Sequence, residues 1–147
     1  MTLRKSRGAV VPLPLDPGAL ATDRFFKNWA GVAGLLGANL NLLAALCGTD
    51  KYGLHFYTPV YEALLKPIRR KRVSILELGV GGYDKSPGGE SLLMWAAYFR
   101  KGKIYGIDIF DKTSLSQGRI KVYQCSQTDR RRLTELAVEL GPFDLVL

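Results

Sequence analysis

The chain has 147 residues, 47% of them hydrophobic, and its 21 Lys+Arg against 13 Asp+Glu give a formal net charge of +8. Apolar content this high excludes a solvated coil, and the length suits one packed domain. Two cysteines, Cys47 and Cys125, exclude a disulfide scaffold and read as reduced, cytoplasmic thiols. The single histidine, His55, argues against a His-rich metal site.

Residues 1–27 are expected to form a flexible arm, because Pro12, Pro14 and Pro17 oppose a helix and Gly8 and Gly18 add freedom. From Asn28 to Gly48 no residue is charged over 21 positions, a length that could span a bilayer. Leu35, Leu36, Leu40, Leu42, Leu43 and Leu46 recur at helical spacing, so a buried or lid helix is expected. A membrane or interfacial anchor at 28–48 is the alternative, opposed by Asn28, Asn39, Asn41 and four glycines. The apolar run starts too late and is too long for a cleaved signal peptide. Thr49 or Asp50 can cap a short segment, and Thr58-Pro59 opens a helix expected to run through Ile68.

The period then changes. Residues 73–78 form a short apolar run ending in glycines, which reads as a buried strand. Gly88-Gly89-Glu90-Ser91 precedes a capped helix over 92–99. Strands are expected at 103–108 and 120–124, a helix at 129–140 stopped by Gly141-Pro142, and a fourth strand at 143–147. Strands alternating with helices predict an α/β fold with a parallel sheet. The basic clusters Arg4-Lys5-Arg7, Arg69-Arg70-Lys71-Arg72 and Arg130-Arg131-Arg132 read as solvated helix ends and turns. No nucleic-acid partner is expected, because aromatics are not interleaved with them.

The most informative segment is Glu77-Leu78-Gly79-Val80-Gly81-Gly82. Glycines at a strand-to-helix turn let backbone approach a ligand at the carboxyl edge of the sheet. A second strand ending in Asp108 offers a carboxylate to the two hydroxyls of a ribose. The dinucleotide pattern G-x-G-x-x-G is not met, since Asp84 stands at its last position. Glu77 before the first glycine suits a cationic or amino-acid-bearing ligand better than a pyrophosphate, which it would repel. The residues therefore favour S-adenosylmethionine over NAD, with a small NAD-dependent oxidoreductase and a purely structural tight turn as alternatives.

Further blocks accompany this turn. They are Thr49-Asp50-Lys51, His55-Phe56-Tyr57-Thr58-Pro59-Val60-Tyr61-Glu62, Gly88-Gly89-Glu90-Ser91-Leu92-Leu93-Met94-Trp95, Gly106-Ile107-Asp108-Ile109-Phe110-Asp111-Lys112 and Ser126-Gln127-Thr128-Asp129. In this order, from Thr49 to Leu147, they resemble the macrocin O-methyltransferase family, which methylates sugar hydroxyls on macrolides. Residues 1–48 are not covered by the resemblance. The hydroxylase-associated methyltransferases of antibiotic pathways share the glycine turn and remain a close alternative.

The resemblance implies a Rossmann-like class I methyltransferase sheet, incomplete here, with four parallel strands and their helices behind an N-terminal arm and helix. It divides the chain into the arm at 1–27, a helical lead-in and cofactor-lid segment at 28–70, and the N-terminal half of the cofactor domain at 71–147. It implies S-adenosylmethionine and, in the full-length family, Mg2+. By resemblance, Glu77, Gly79 and Gly81 line the methionine end of the cofactor and Asp108 holds its ribose. Ser126 and Gln127 lie near the adenine, Tyr57 and Thr58 fold over the cofactor, and Ser91 joins the cofactor-binding set. His55, the single histidine, is expected to take a packing or cofactor-lid role, with a catalytic role as the alternative.

In the family the strand Phe-Asp-Leu-Val-Leu continues into an Asp-Asp-Gly-Ser-His block that supplies metal ligands and the general base. This sequence stops at Leu147, so no catalytic or metal-ligating residue is assigned. The 147 residues alone are expected to hold most of the cofactor cradle and to be inactive. The acceptor implied is a small molecule or a saccharide, in the cytoplasm, and a homo-oligomer is compatible. A non-catalytic cofactor-binding or interaction module is the alternative from another class.

Overall fold

The computed structural model describes residues 24–82 and 87–147. The expected arm therefore lies outside the described residues as far as 23. Its last four positions are helical, because α1 begins at Arg24 and not at 28 (α1, Arg24–Leu35).

The uncharged stretch is not one helix. It breaks into α1 and α2 (Leu40–Cys47). Gly37 adopts φ 87°, a left-handed conformation that glycine takes without steric cost. Asn39 then starts the second helix by accepting the Leu42 amide on its side-chain oxygen at 3.0 Å. Leu40, Leu43, Ala44 and Cys47 are buried at helical spacing. At Gly34 an added Cβ would overlap the Ala97 carbonyl, so α1 packs backbone to backbone on the helix carrying Ala97. No helix among the described residues is long and apolar enough to cross a membrane.

Next comes α3 (Thr58–Leu65), with Pro at its first turn, and then a 3-10 turn (Lys66–Ile68). The α-helix stops short of Ile68 because Pro67 has no N–H to donate to the preceding turn.

The strands are β1 (Ser74–Leu78), β2 (Lys103–Asp108), β3 (Ile120–Gln124) and β4 (Leu145–Val146). They pair in parallel in the order β3-β2-β1-β4. Between them run α4 (Glu90–Tyr98) and α5 (Arg130–Leu140). Every residue of β2 after Lys103 is buried, as a central strand covered on both faces requires. The expected fourth strand shrinks to two residues, although Leu147 still exchanges hydrogen bonds with Leu76 and Leu78.

Ile75, Ile104, Trp95, Tyr98 and Phe99 form the main core together with Leu40 and Leu43 of α2. The lead-in helices thus share one core with the sheet. Ile107, Cys125 and Leu136 form a smaller cluster under α5. Because β4 lies on the far side of β1 from β2, the strand order reverses beside β1. In open α/β sheets the ligand crevice opens at that point, at the carboxyl ends of the strands.

Candidate functional site

The carboxyl ends of β1 and β2 are tied through backbone. The Gly79 amide donates to the Ile107 carbonyl at 2.8 Å. Asp108 is buried and accepts the Val80 amide on Oδ2 and the Phe110 amide on Oδ1, each at 3.0 Å. One carboxylate thus holds the glycine turn on one side and its own exit loop on the other. Each oxygen keeps a further lone pair for a ligand hydroxyl. Lys112 is also buried and donates from Nζ to the Gly82 carbonyl.

Gly79 and Gly81 sit at φ 82° and 72°, and a Cβ at either would meet no atom within 4 Å. The space beside the turn is open at these two positions. Gly88 differs, because a Cβ there would overlap the Gly81 carbonyl, which makes it the packing glycine of the turn.

Glu77 is 2% exposed. Its Oε2 accepts Ser91 Oγ at 2.8 Å and its Oε1 lies 2.9 Å from Lys51 Nζ. Ser91 therefore does not cap α4. The N-cap is Gly89, with no side-chain cap hydrogen bond, and the expected capped start at 92 moves to Glu90. Glu77 is not an open anionic site either, since Lys51 already neutralises it. Burial alone would lower the Lys51 pKa, but the charge of Glu77 and its hydrogen bond, with help from Asp50 and Tyr61, hold it above its ordinary value.

Lys51 is absent from the expected site residues. The signal for it was a carboxylate in a buried strand, which demands a cation from elsewhere in the chain.

Lys51 also organises the segment before α3. Its carbonyl accepts the Tyr57 amide at 2.8 Å and the Thr58 amide at 3.2 Å, so 51–58 closes into a compact loop. Phe56 takes φ 53° within it. His55 stacks on Tyr57 with ring centroids 5.3 Å apart, and its Nε2 lies 3.6 Å from Asp50 Oδ2. Both partners of that pair are well exposed, so His55 packs within the loop's surface. Thr58 is fully buried, yet its hydroxyl has no hydrogen-bond partner among the described residues.

Ser126 and Gln127 follow β3. The Ser126 hydroxyl pairs with that of Thr128 at 2.9 Å, and Gln127 is exposed. The Cys125 amide donates to the Asp108 carbonyl at 2.8 Å, which fixes where this loop leaves the sheet. The structure thus joins Glu77 to Ser91 directly and ties Asp108 to the glycine turn through the Val80 amide, between Gly79 and Gly81. Tyr57 and Thr58 join them through Lys51, while the side-chain contacts of Ser126 stay local.

These features fit a ligand that carries a ribose and lies against backbone. The turn has open space, a buried hydroxyl lacks a partner, and an acid stands at the second strand's end. Among the described residues no group of three or more His, Cys, Asp or Glu could hold a metal ion.

No protein-family model matches the chain. It is 44% identical over 139 residues to the 8-demethyl-8-alpha-L-rhamnosyl tetracenomycin-C 2'-O-methyltransferase of Streptomyces olivaceus, covering 92% of this chain and 35% of that protein. It is 43% identical to the mycinamicin VI 2''-O-methyltransferase of Micromonospora griseorubida, covering 74% of this chain and 28% of that one. The demethylmacrocin O-methyltransferase of Streptomyces fradiae is also 43% identical, with the same coverage.

Among solved structures, the MycE methyltransferase of the mycinamycin pathway, in complex with Mg, SAH and mycinamycin VI, superposes with a TM-score of 0.71 at 42% identity. It matches 74% of this chain and 30% of that one. The chain spans about a third of the length of the curated relatives it matches. A match covering 92% of the chain also reaches back well before Thr49, so the lead-in helices, expected to fall outside the resemblance, are part of the similarity.

Proposed function

We propose that this chain, which belongs to the macrocin-type sugar O-methyltransferase family, builds the S-adenosylmethionine cradle of an enzyme that methylates a sugar hydroxyl on a glycosylated natural product. The observation that carries this reading is the junction of Asp108 with the glycine turn through the Val80 amide at 3.0 Å. It sets a ribose-binding carboxylate beside an open backbone turn at the carboxyl edge.

When bound, the cofactor supplies an electrophilic methyl group on a sulfonium. The residues of this chain bind and orient. Asp108 takes the ribose hydroxyls, and Gly79 and Gly81 let the backbone approach the methionine end. Glu77 acts as the buried acid of a Lys51–Glu77–Ser91 network that shapes that end. Tyr57 and Thr58 close from the loop side, while Ser126 and Gln127 border the adenine.

Calorimetry with S-adenosylhomocysteine on the 147-residue chain tests the cradle. The folded wild type is expected to bind. Asp108→Ala is expected to weaken binding by at least about tenfold, the loss of one or two charge-assisted hydrogen bonds. Because Asp108 also holds backbone, Thr58→Val serves as a second variant. It keeps the volume and removes a hydroxyl that has no partner among the described residues, so stability should hold while affinity falls. No binding by the folded wild type, or unchanged affinity in both variants, overturns the reading.

A further inference from the structure

On the sheet edge opposite the glycine turn lies a cavity of about 690 Å³. The chain order places it there, since residues 66–70 precede β1 and residues 98–101 lead from α4 into β2. Half of its lining residues are cations, namely Lys66, Arg69, Arg70, Arg100 and Lys101, and none is acidic.

One of these cations has a structural task. Arg69 donates to the Gly37 carbonyl at 3.0 Å and to the Gly34 carbonyl at 3.5 Å, and lies 4.4 Å over the Tyr98 ring. It thereby closes the end of α1. Just outside the cavity, Arg119 does the same for α4, donating to the carbonyls of Ala96, Phe99 and Gly102 at 2.5, 2.8 and 2.6 Å. Its pKa is pushed down, first by burial and then by the charge of Arg100.

The other four, Lys66, Arg70, Arg100 and Lys101, are exposed and have no carboxylate at ion-pair distance among the described residues. Like charges on a solvated face spread apart; these four converge on one concavity with Arg69 fixed at its wall. The acids that flank residues 66–70 make other contacts: Glu62 accepts the Leu40 amide and stands, still charged, beside Tyr98, and Glu77 pairs with Lys51.

We propose that this cavity binds a small polyphosphate anion, either free pyrophosphate or the pyrophosphate of a nucleoside diphosphate. Carbonyl contacts and the Tyr98 ring order the Arg69 guanidinium without neutralising it. The four cations on mobile stems can then close on the anion's oxygens from the open side. The volume lies within the range of small-ligand sites, and Leu35 and Pro67 supply an apolar wall for an attached organic group. A single-stranded nucleic acid would need exposed rings to stack on, and the only aromatic lining the cavity, Tyr98, is 1% exposed.

The test is calorimetry and thermal melting of the 147-residue chain with inorganic pyrophosphate and with uridine and adenosine diphosphates, all at matched ionic strength. Pyrophosphate is expected to raise the melting temperature. Arg70→Gln/Arg100→Gln should weaken it by at least about tenfold, the loss of two charge-assisted contacts. Lys121→Gln/Arg130→Gln removes the same charge elsewhere and should bind as wild type. All four substituted side chains are exposed, and circular dichroism confirms folding of both pairs. Tighter binding of a diphosphate than of pyrophosphate assigns the wall to an organic group, and equal binding assigns the site to the free anion. The proposal is overturned if the folded wild type shows no shift, if the two pairs lose equally, or if an RNA oligonucleotide outcompetes pyrophosphate.

Discussion

Lys51→Met isolates what holds the glycine turn to the loop over it. In the folded chain Lys51 Nζ stands 2.9 Å from Glu77 Oε1, with the two side chains 20% and 3% exposed. At an effective dielectric of about 20 the gross attraction at this distance is about 6 kcal/mol, a ceiling, because both charges lose hydration. Methionine keeps most of the stem's volume and leaves Glu77 buried with only the Ser91 hydroxyl. Removing one partner of a buried pair costs about 3–5 kcal/mol, and the partial solvation of Lys51 places this case near about 3.

Urea denaturation at pH 7 measures it, with an unchanged slope showing that the same surface unfolds. Lys51→Met/Glu77→Gln removes both charges and leaves an acceptor for Ser91, so it should recover about 2 kcal/mol of the loss. Amide exchange at Tyr57 and Thr58, both bonded to the Lys51 carbonyl, should quicken in the single variant. A single variant within about 0.5 kcal/mol of wild type refutes the reasoning, as does a double variant no better than the single. The Lys51 pKa is raised in the folded state. The pair's contribution is therefore whole below the ordinary lysine value and lost only as pH rises through the folded value, so pH 7 and pH 9 should give the same cost.

Two further outcomes follow from the same coordinates. Gly88→Ala adds a methyl at φ 68° against the Gly81 carbonyl, a backbone atom that cannot swing aside. It should cost more than about 2 kcal/mol and abolish S-adenosylhomocysteine binding. Gly37→Ala, at φ 87° with open space, should cost only about 1 kcal/mol and leave binding intact. Burial, and then Asp129, holds the Cys125 thiol above its ordinary pKa. Ionisation on unfolding therefore draws stability down as pH rises past the ordinary thiol value. Urea midpoints from pH 7 to 10 should fall less steeply in Cys125→Ala than in wild type.

The sheet was legible because burial on both faces of β2 leaves a continuous apolar run, and 103–108 and 120–124 have the bounds that the pattern implies. The uncharged stretch was misjudged as one helix because leucine spacing outweighed two local signals, Gly37 and Asn39, that end one helix and start the next. At Ser91 the cap reading failed for a different reason. Its hydroxyl serves Glu77, a partner fourteen positions back that only the folded sheet brings near. Lys51 escaped notice on the same ground, since nothing local to Thr49-Asp50-Lys51 points at a strand twenty-six residues on.

The +8 balance shows where composition stops being informative. Two arginine-rich clusters of similar content have different physical standing. At 130–132, Arg131 and Arg132 lie 3.1 and 3.2 Å from the Glu135 carboxylate, four and three positions on, so that cluster is a solvated helix face with its own acid supplied. At 69–72 no carboxylate among the described residues stands at ion-pair distance: Glu62 accepts the Leu40 amide and Glu77 pairs with Lys51. Neutralising Glu77 together with Lys51 should leave the electrostatics of the basic cavity unchanged, because that pair already cancels itself.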